Sequence, residues 1–271
     1  MTGVREADPE TLAGRKARFW EQTDYDRAFR GTFGAYMTAV EAAALERALG
    51  DLRFAALLDL GCGHGRFLRW LAPRAERLAG LDRSWRLLGI AIELLKDDPL
   101  AVPTALIWGS ATELPFATGS LDGVTCVRVI QHVPDQRKAL EESARVLRAG
   151  GSLVLVQYNW LSPHGLVRAL KLPVKALLRR AMRAAGREPA FDEPTGWTWW
   201  PALRRELESA GFAIEHGTGA WLFPLQYFRS RRSNDAWPWA LALANALERL
   251  ADTAPFKFLG GYLVVRAIRN S

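Results

Sequence analysis

Cysteine is scarce in this chain of 271 residues. Only Cys62 and Cys126 occur, too few for a disulfide framework, so reduced thiols and a cytoplasmic setting are expected. Histidine is also sparse: His64, His132, His164 and His216 share no metal-ligand spacing, and no metal site is expected. There is no run of about 18 apolar residues, so a membrane span is not expected either. Met1 to Asp8 is polar and mixed in charge, without the apolar segment of a signal peptide. Internal repeats, low-complexity tracts and long Lys/Arg blocks are missing. The net charge of +7 therefore reads as arginine spread over a solvated surface rather than as a nucleic-acid interface.

What is present is an ordinary globular composition, 49% apolar and 24% charged, in a chain long enough for one domain with insertions. It is organised around Leu57-Leu58-Asp59-Leu60-Gly61-Cys62-Gly63-His64-Gly65-Arg66-Phe67-Leu68. The apolar start suits a buried parallel strand and the end suits a helix, expected over Phe67 to Ala72 and closed by Pro73. Between them Gly61, Gly63 and Gly65 allow a sharp turn and a close approach of ligand to bare backbone. Asp59, two positions before the first glycine, can accept from a ligand hydroxyl or ammonium group. A second strand, Arg77 to Asp82, ends in an acid 17 residues beyond Gly65. That is near the interval at which a doubly wound fold sets a carboxylate against ribose hydroxyls.

Helix and strand patterns alternate from residue 55 to 158, which demands a parallel sheet. Helices are expected over Trp85 to Lys96 and Gln136 to Leu147, with strands over Thr104 to Trp108, Ser120 to Val127 and Ser152 to Val156. Between these lie a Gly109-Ser110-Ala111-Thr112-Glu113-Leu114-Pro115-Phe116 loop, an Ile130-Gln131-His132-Val133 exit and a Gly150-Gly151 turn. In this order, with G-x-G-x-G rather than G-x-G-x-x-G, the segments resemble the class I S-adenosylmethionine-dependent methyltransferases, closest to the small-molecule group of ubiquinone and menaquinone methylating enzymes. The resemblance is strong over 55–158 and holds in outline over 201–271. One departure is Ser110, where that family often has an aspartate facing the adenine.

The resemblance implies a Rossmann-like, doubly wound α/β sheet of seven strands with the last antiparallel. Residues 1–50 form an N-terminal helical leader or lid, 51–158 the S-adenosylmethionine-binding core, 159–200 a cap insertion and 201–271 the completion of the sheet. The expected S-adenosyl-L-methionine contacts are Tyr36, Asp59, Gly61, Cys62, Gly63, Gly65, Asp82, Arg83, Ser110, Ala111 and Arg128. Tyr36 comes from an aromatic stripe that includes Phe19, Trp20, Phe29 and Phe33. The implied activity is methyl transfer to O, N or C of a small apolar or aromatic molecule. His132 is the candidate general base, ahead of Tyr158 and Tyr227, and Tyr158, Trp160, Trp197 and Trp221 are the candidate acceptor contacts.

In the insertion, Pro173 suits the start of a helix with Val174, Leu177, Leu178 and Met182 on one side. Lys175, Arg179, Arg180, Arg183 and Arg187 crowd the other. The expected arrangement is a cap packed over the sheet by its apolar side; peripheral membrane contact through 173–187 is the other reading. Three further readings compete with a small-molecule enzyme. A binding protein that has lost turnover would keep the same motifs. A dehydrogenase would need the other glycine spacing. A nucleic-acid methyltransferase would carry an Asn-Pro-Pro-Tyr-like stretch where Val127-Arg128-Val129-Ile130 stands. The identity of the acceptor and the oligomeric state are left open.

Overall fold

A computed structural model of the chain describes residues 29–186 and 196–271. Seven strands form one sheet: β1 (Phe54–Leu60), β2 (Ala75–Asp82), β3 (Thr104–Trp108), β4 (Leu121–Val127), β5 (Leu147–Tyr158), β6 (Phe212–Ala220) and β7 (Tyr262–Arg269). Their order across the sheet is β3-β2-β1-β4-β5-β7-β6. The β1–β2, β2–β3, β1–β4 and β4–β5 pairs are parallel, whereas β7 runs antiparallel between β5 and β6. The chain reverses direction of travel across the sheet at β1, so the carboxyl ends of β1 and β4 flank a topological switch point, the place where such sheets bind ligands.

Apolar runs make the central strands because both of their faces are covered. Leu57 points into one layer with Leu45, Leu49 and Leu71, and its neighbour Leu58 into the other with Leu140, Val146 and Leu203. The first layer is closed by α1 (Gly31–Leu49), the short α2 (Leu68–Leu71) and α3 (Trp85–Asp97); the second by α4 (Gln136–Val146) and a later helix, α6 below. Local signals set the starts. The Ser84 hydroxyl accepts from the Leu87 N–H at 3.2 Å, and the Asp135 carboxylate from the Lys138 N–H at 2.9 Å, each an N-cap.

Beyond β5 come α5 (Pro163–Ala184), α6 (Trp200–Ser209) and α7 (Pro238–Glu248). Several expectations are corrected here. The helix expected over Phe67 to Ala72 has one turn only. The Gly65 N–H is spent on Cys62 O and the Leu68 N–H on Gly65 O, so tight turns replace its start. Pro173 does not open a helix; it lies inside α5. The helix starts instead at Pro163, where the Ser162 hydroxyl accepts from the Gly165 N–H at 3.0 Å. Nor does α5 lay the expected apolar side on the sheet: Val174, Leu177 and Leu178 are 60, 69 and 50% exposed. A 3₁₀ turn over Phe256–Phe258 leads into the final strand, β7, at Tyr262. Phe19, Trp20 and Arg187 lie outside the described residues.

Candidate cofactor site

The glycine turn is stitched to the end of β2. The N–H groups of Gly61 and Cys62 both donate to Leu81 O, at 2.6 and 3.1 Å, and the Gly63 N–H donates to Asp82 Oδ2 at 2.8 Å. The Ser84 N–H donates to the other carboxylate oxygen at 2.8 Å. Two backbone donors thus fix the orientation of Asp82, whose carboxylate offers about four acceptor positions in all. At Gly63, φ is 57° and an added Cβ would meet nothing nearer than Leu87 Cδ1 at 3.9 Å. Bare backbone therefore faces open space beside a fixed carboxylate.

That space is a cavity of about 270 Å³ over the carboxyl ends of β1 to β4. Gly61, Gly63, Asp82, Arg83, Ser110, Ala111, Arg128 and His132 all line it. On the β3 side the Ser110 and Thr112 hydroxyls bond at 2.8 Å and shape the loop. Helix α4 holds the following Leu114-Pro115-Phe116. Arg145 donates to Leu114 O at 2.9 Å and Phe116 O at 2.8 Å, while Glu142 accepts from the Leu114 N–H at 2.8 Å. The Arg145 guanidinium hydrogen-bonded to Glu142 keeps that carboxyl below its usual range. Outside the cavity lining, Trp85 stacks on Trp108 with centroids 5.3 Å apart, and the Trp108 indole N–H donates to Arg83 O at 2.8 Å, which supports the Arg83 backbone from behind.

Arg128 enters the cavity from the end of β4 with φ at 58°, unusual for a residue with a side chain. Its Nε lies 2.9 Å from Glu41 Oε1, and its guanidinium donates to the Tyr262 hydroxyl at 3.2 Å. Glu41, fully buried on α1, also holds Arg66 at 2.5 Å. One carboxylate thus ties α1 to the glycine loop through Arg66 and to β4 through Arg128. This network escaped the sequence reading, although its signal is present: Glu41 is an acid four residues from both Met37 and Leu45, on the buried stripe of an Ala/Leu-rich helix. His132 sits in the cavity wall on the 3₁₀ turn Ile130–His132, where it can meet a ligand.

Four expected cofactor residues do not line the cavity. Asp59 is buried beneath it and accepts from the Thr125 hydroxyl at 2.9 Å; burial pushes its carboxyl up to about 7. The Cys62 side chain packs down on β2, such that an added Cβ at Gly80 would lie 2.9 Å from its sulfur. Gly65 has an open φ of 83°, yet an added Cβ would meet Leu68 and Ala91, so it serves helix packing. Tyr36 is buried on α1 beside Glu248, and burial followed by that carboxylate raises its hydroxyl pKa. Asp59 and Tyr36 lie outside the cavity lining because both are buried in the core rather than set at the strand ends.

The four expected acceptor contacts come together, though outside this cavity. Tyr158 stacks on Trp197 at 4.9 Å, Trp160 meets Trp197 at 5.6 Å, and Tyr262 touches Tyr158 at 5.2 Å and Trp221 at 4.9 Å. Tyr262, which sequence reasoning missed, is the centre of this aromatic run and joins it to the cavity through Arg128. His164 lies against Trp221 with centroids 3.8 Å apart, and burial lowers its pKa to about 3. Tyr227 does not line the cavity; its ring lies 4.2 Å from Lys171 Nζ.

Comparisons with known proteins agree with this geometry. Residues 58–155 match a family model described as a methyltransferase domain. An uncharacterized 37.1 kDa protein in transposon TN4556 of Streptomyces fradiae is 41% identical over 106 residues, 38% of this chain and 30% of that protein. Demethylmenaquinone methyltransferase of Clavibacter sepedonicus is 29% identical over 180 residues, 64% of this chain and 72% of that one. The chain spans about a third of the length of the first curated relatives it matches. Among solved structures, geranyl diphosphate C-methyltransferase from Streptomyces coelicolor A3(2), in complex with Mg2+, geranyl diphosphate and S-adenosyl-L-homocysteine, aligns with a TM-score of 0.63. It is 15% identical, with 97% of this chain and 100% of that one covered, a likeness of fold alone. The chain thus carries a methyltransferase domain over 58–155, set in a seven-stranded sheet with the glycine turn at the end of its first strand.

Proposed function

We propose that the protein transfers a methyl group from S-adenosylmethionine to an O, N or C atom of a small apolar or aromatic acceptor. The observation that carries this reading is Asp82: its carboxylate is held by the N–H groups of Gly63 and Ser84 in the cavity wall, beside the bare backbone of Gly63. Those residues fit the cofactor. Asp82 would accept from the ribose hydroxyls, Gly61 and Gly63 would admit the chain that follows the ribose, and Ser110 and Ala111 would meet the adenine. Bound there, S-adenosylmethionine supplies an electrophilic methyl on a positively charged sulfur.

The chain's own contribution is mainly alignment, since charge is lost from sulfur as the acceptor attacks and the geometry must be in line. His132, in the same wall, would take a proton from an acceptor that is protonated at working pH. The aromatic run from Trp160 to Trp221 supports an apolar or aromatic acceptor, since its rings offer large apolar area with polar tips.

Isothermal titration with S-adenosylmethionine tests the reading, with NADH as the control ligand. Micromolar binding is expected for the native protein and none for NADH. Asp82→Ala should weaken binding at least tenfold, since hydrogen bonds to a charged group contribute about 1.5–3 kcal/mol each. Binding unchanged in the variant would refute this placement of the cofactor.

A further inference from the structure

Helix α5 holds nearly all of the chain's excess positive charge. Between Pro163 and Ala184 there are six basic residues, Arg168, Lys171, Lys175, Arg179, Arg180 and Arg183, and no acid, in a chain whose net charge is +7. The even spread of arginine expected from composition is therefore corrected: elsewhere the cations are nearly balanced by acids. Along the same helix Leu166, Leu170, Val174, Leu177 and Leu178 recur at the three- and four-residue spacing of a single stripe. Their exposures are 62, 70, 60, 69 and 50%.

A contiguous apolar surface of this kind marks an interaction site on a folded protein. It continues beyond the helix. Lys171 Nζ lies 4.2 Å from the Tyr227 ring. The neighbouring Phe228 meets Trp237 at 6.0 Å and Trp239 at 5.3 Å. Both tryptophans are about half exposed, at 48 and 55%.

We propose that α5, with Trp237 and Trp239 beside it, docks the protein on an anionic lipid bilayer. The leucine stripe enters the boundary of the acyl chains, and Lys171, Lys175 and Arg180 meet the headgroups. Charge selects this occupant. A second copy of the chain would bring one cationic helix against another. A nucleic acid would satisfy the cations and leave five large apolar side chains in water. An anionic bilayer matches both faces at once, and indole rings with one apolar and one polar edge suit its boundary. No helix among the described residues is long and apolar enough to cross a membrane, so the contact is peripheral.

Flotation of the whole protein with vesicles decides the matter. Vesicles of phosphatidylcholine with about a third phosphatidylglycerol should carry the protein at least tenfold better than phosphatidylcholine alone, with binding that falls as salt rises. The double variant Leu170→Glu/Leu177→Glu should lose this binding with an unchanged melting temperature, because both side chains are already in water. Lys171→Glu/Lys175→Glu should lose it as well. Failure of the native protein to float, or equal flotation of the leucine variant, would overturn the proposal. So would a dimer in sedimentation velocity that the leucine variant turns into a monomer, which would give the face to a second copy. Capture of an acidic protein with no vesicle binding would give it to a protein partner and overturn the lipid assignment equally.

Discussion

Gly61 and Gly63 are two positions apart and have left-handed backbones, with φ of 74° and 57°, yet they answer different demands. A Cβ at Gly61 would lie 2.2 Å from Val129 Cγ2, because the turn after β1 presses against the exit from β4. Gly61→Ala therefore combines left-handed strain with an overpacked contact, together roughly 2–5 kcal/mol. Urea denaturation should show the midpoint falling accordingly, and a second change, Val129→Ala, should restore part of the loss. At Gly63 the added methyl meets open cavity. Gly63→Ala should cost only the backbone strain, about 1–2 kcal/mol, while lowering affinity for S-adenosylmethionine more than tenfold in titration. If the two alanine variants behaved alike in both measurements, the separation of packing glycine from ligand glycine would be wrong.

At the scale of elements, the site is closed by a helix rather than by the sheet alone, and the closure hangs on Glu41 of α1. Glu41→Gln would leave the Arg66 and Arg128 guanidinia, only 13 and 11% exposed, without their carboxylate. Breaking a buried ion pair from one side costs about 3–5 kcal/mol. Denaturant unfolding should record that loss with an unchanged m-value; a loss below about 1 kcal/mol would refute the clamp. How far these elements were legible follows from what each one needs. Strands β1, β2, β4 and β5 show in the sequence because a strand covered on both faces must be an apolar run. Gly61, Gly63 and Asp82 show because a turn at the strand ends must bend sharply and a carboxylate must stand at β2. Glu41 was not read, since an ion pair whose partners are 25 and 87 residues away leaves only the faint mark of one acid on a buried stripe. Pro173 is a misleading mark for the start of α5, because the stronger cap, Ser162 followed by Pro163, stands ten residues earlier. Its exposed leucines are outside what periodicity can tell, which fixes a face and not its neighbour.

For the molecule as a whole, two buried groups at different places set opposing dependences of stability on pH. Asp59, raised to about 7 by burial, keeps its proton in the fold where the unfolded chain, with an ordinary carboxyl near 3.8, has released it. The fold then binds more protons than the unfolded chain between about pH 4 and 7, so Asp59 takes stability away as pH rises through that window. His164, lowered from 6.5 to about 3 by burial, refuses the proton that the unfolded chain accepts. It takes stability away as pH falls from about 6.5 toward 3. Each slope is about 1.4 kcal/mol per pH unit, so between about pH 4 and 6.5 the two cancel. Single variants should uncover them. Asp59→Asn keeps an acceptor for the Thr125 hydroxyl and leaves the histidine slope alone, so its melting temperature should fall relative to the native protein on acidification from pH 6.5 to 4. His164→Gln leaves the carboxyl slope and should shift the opposite way over the same range. All other titrating groups are common to the three proteins, so the differences between their melting curves isolate these two. Curves that stay parallel across the range would mean that neither burial holds its group out of its ordinary ionisation.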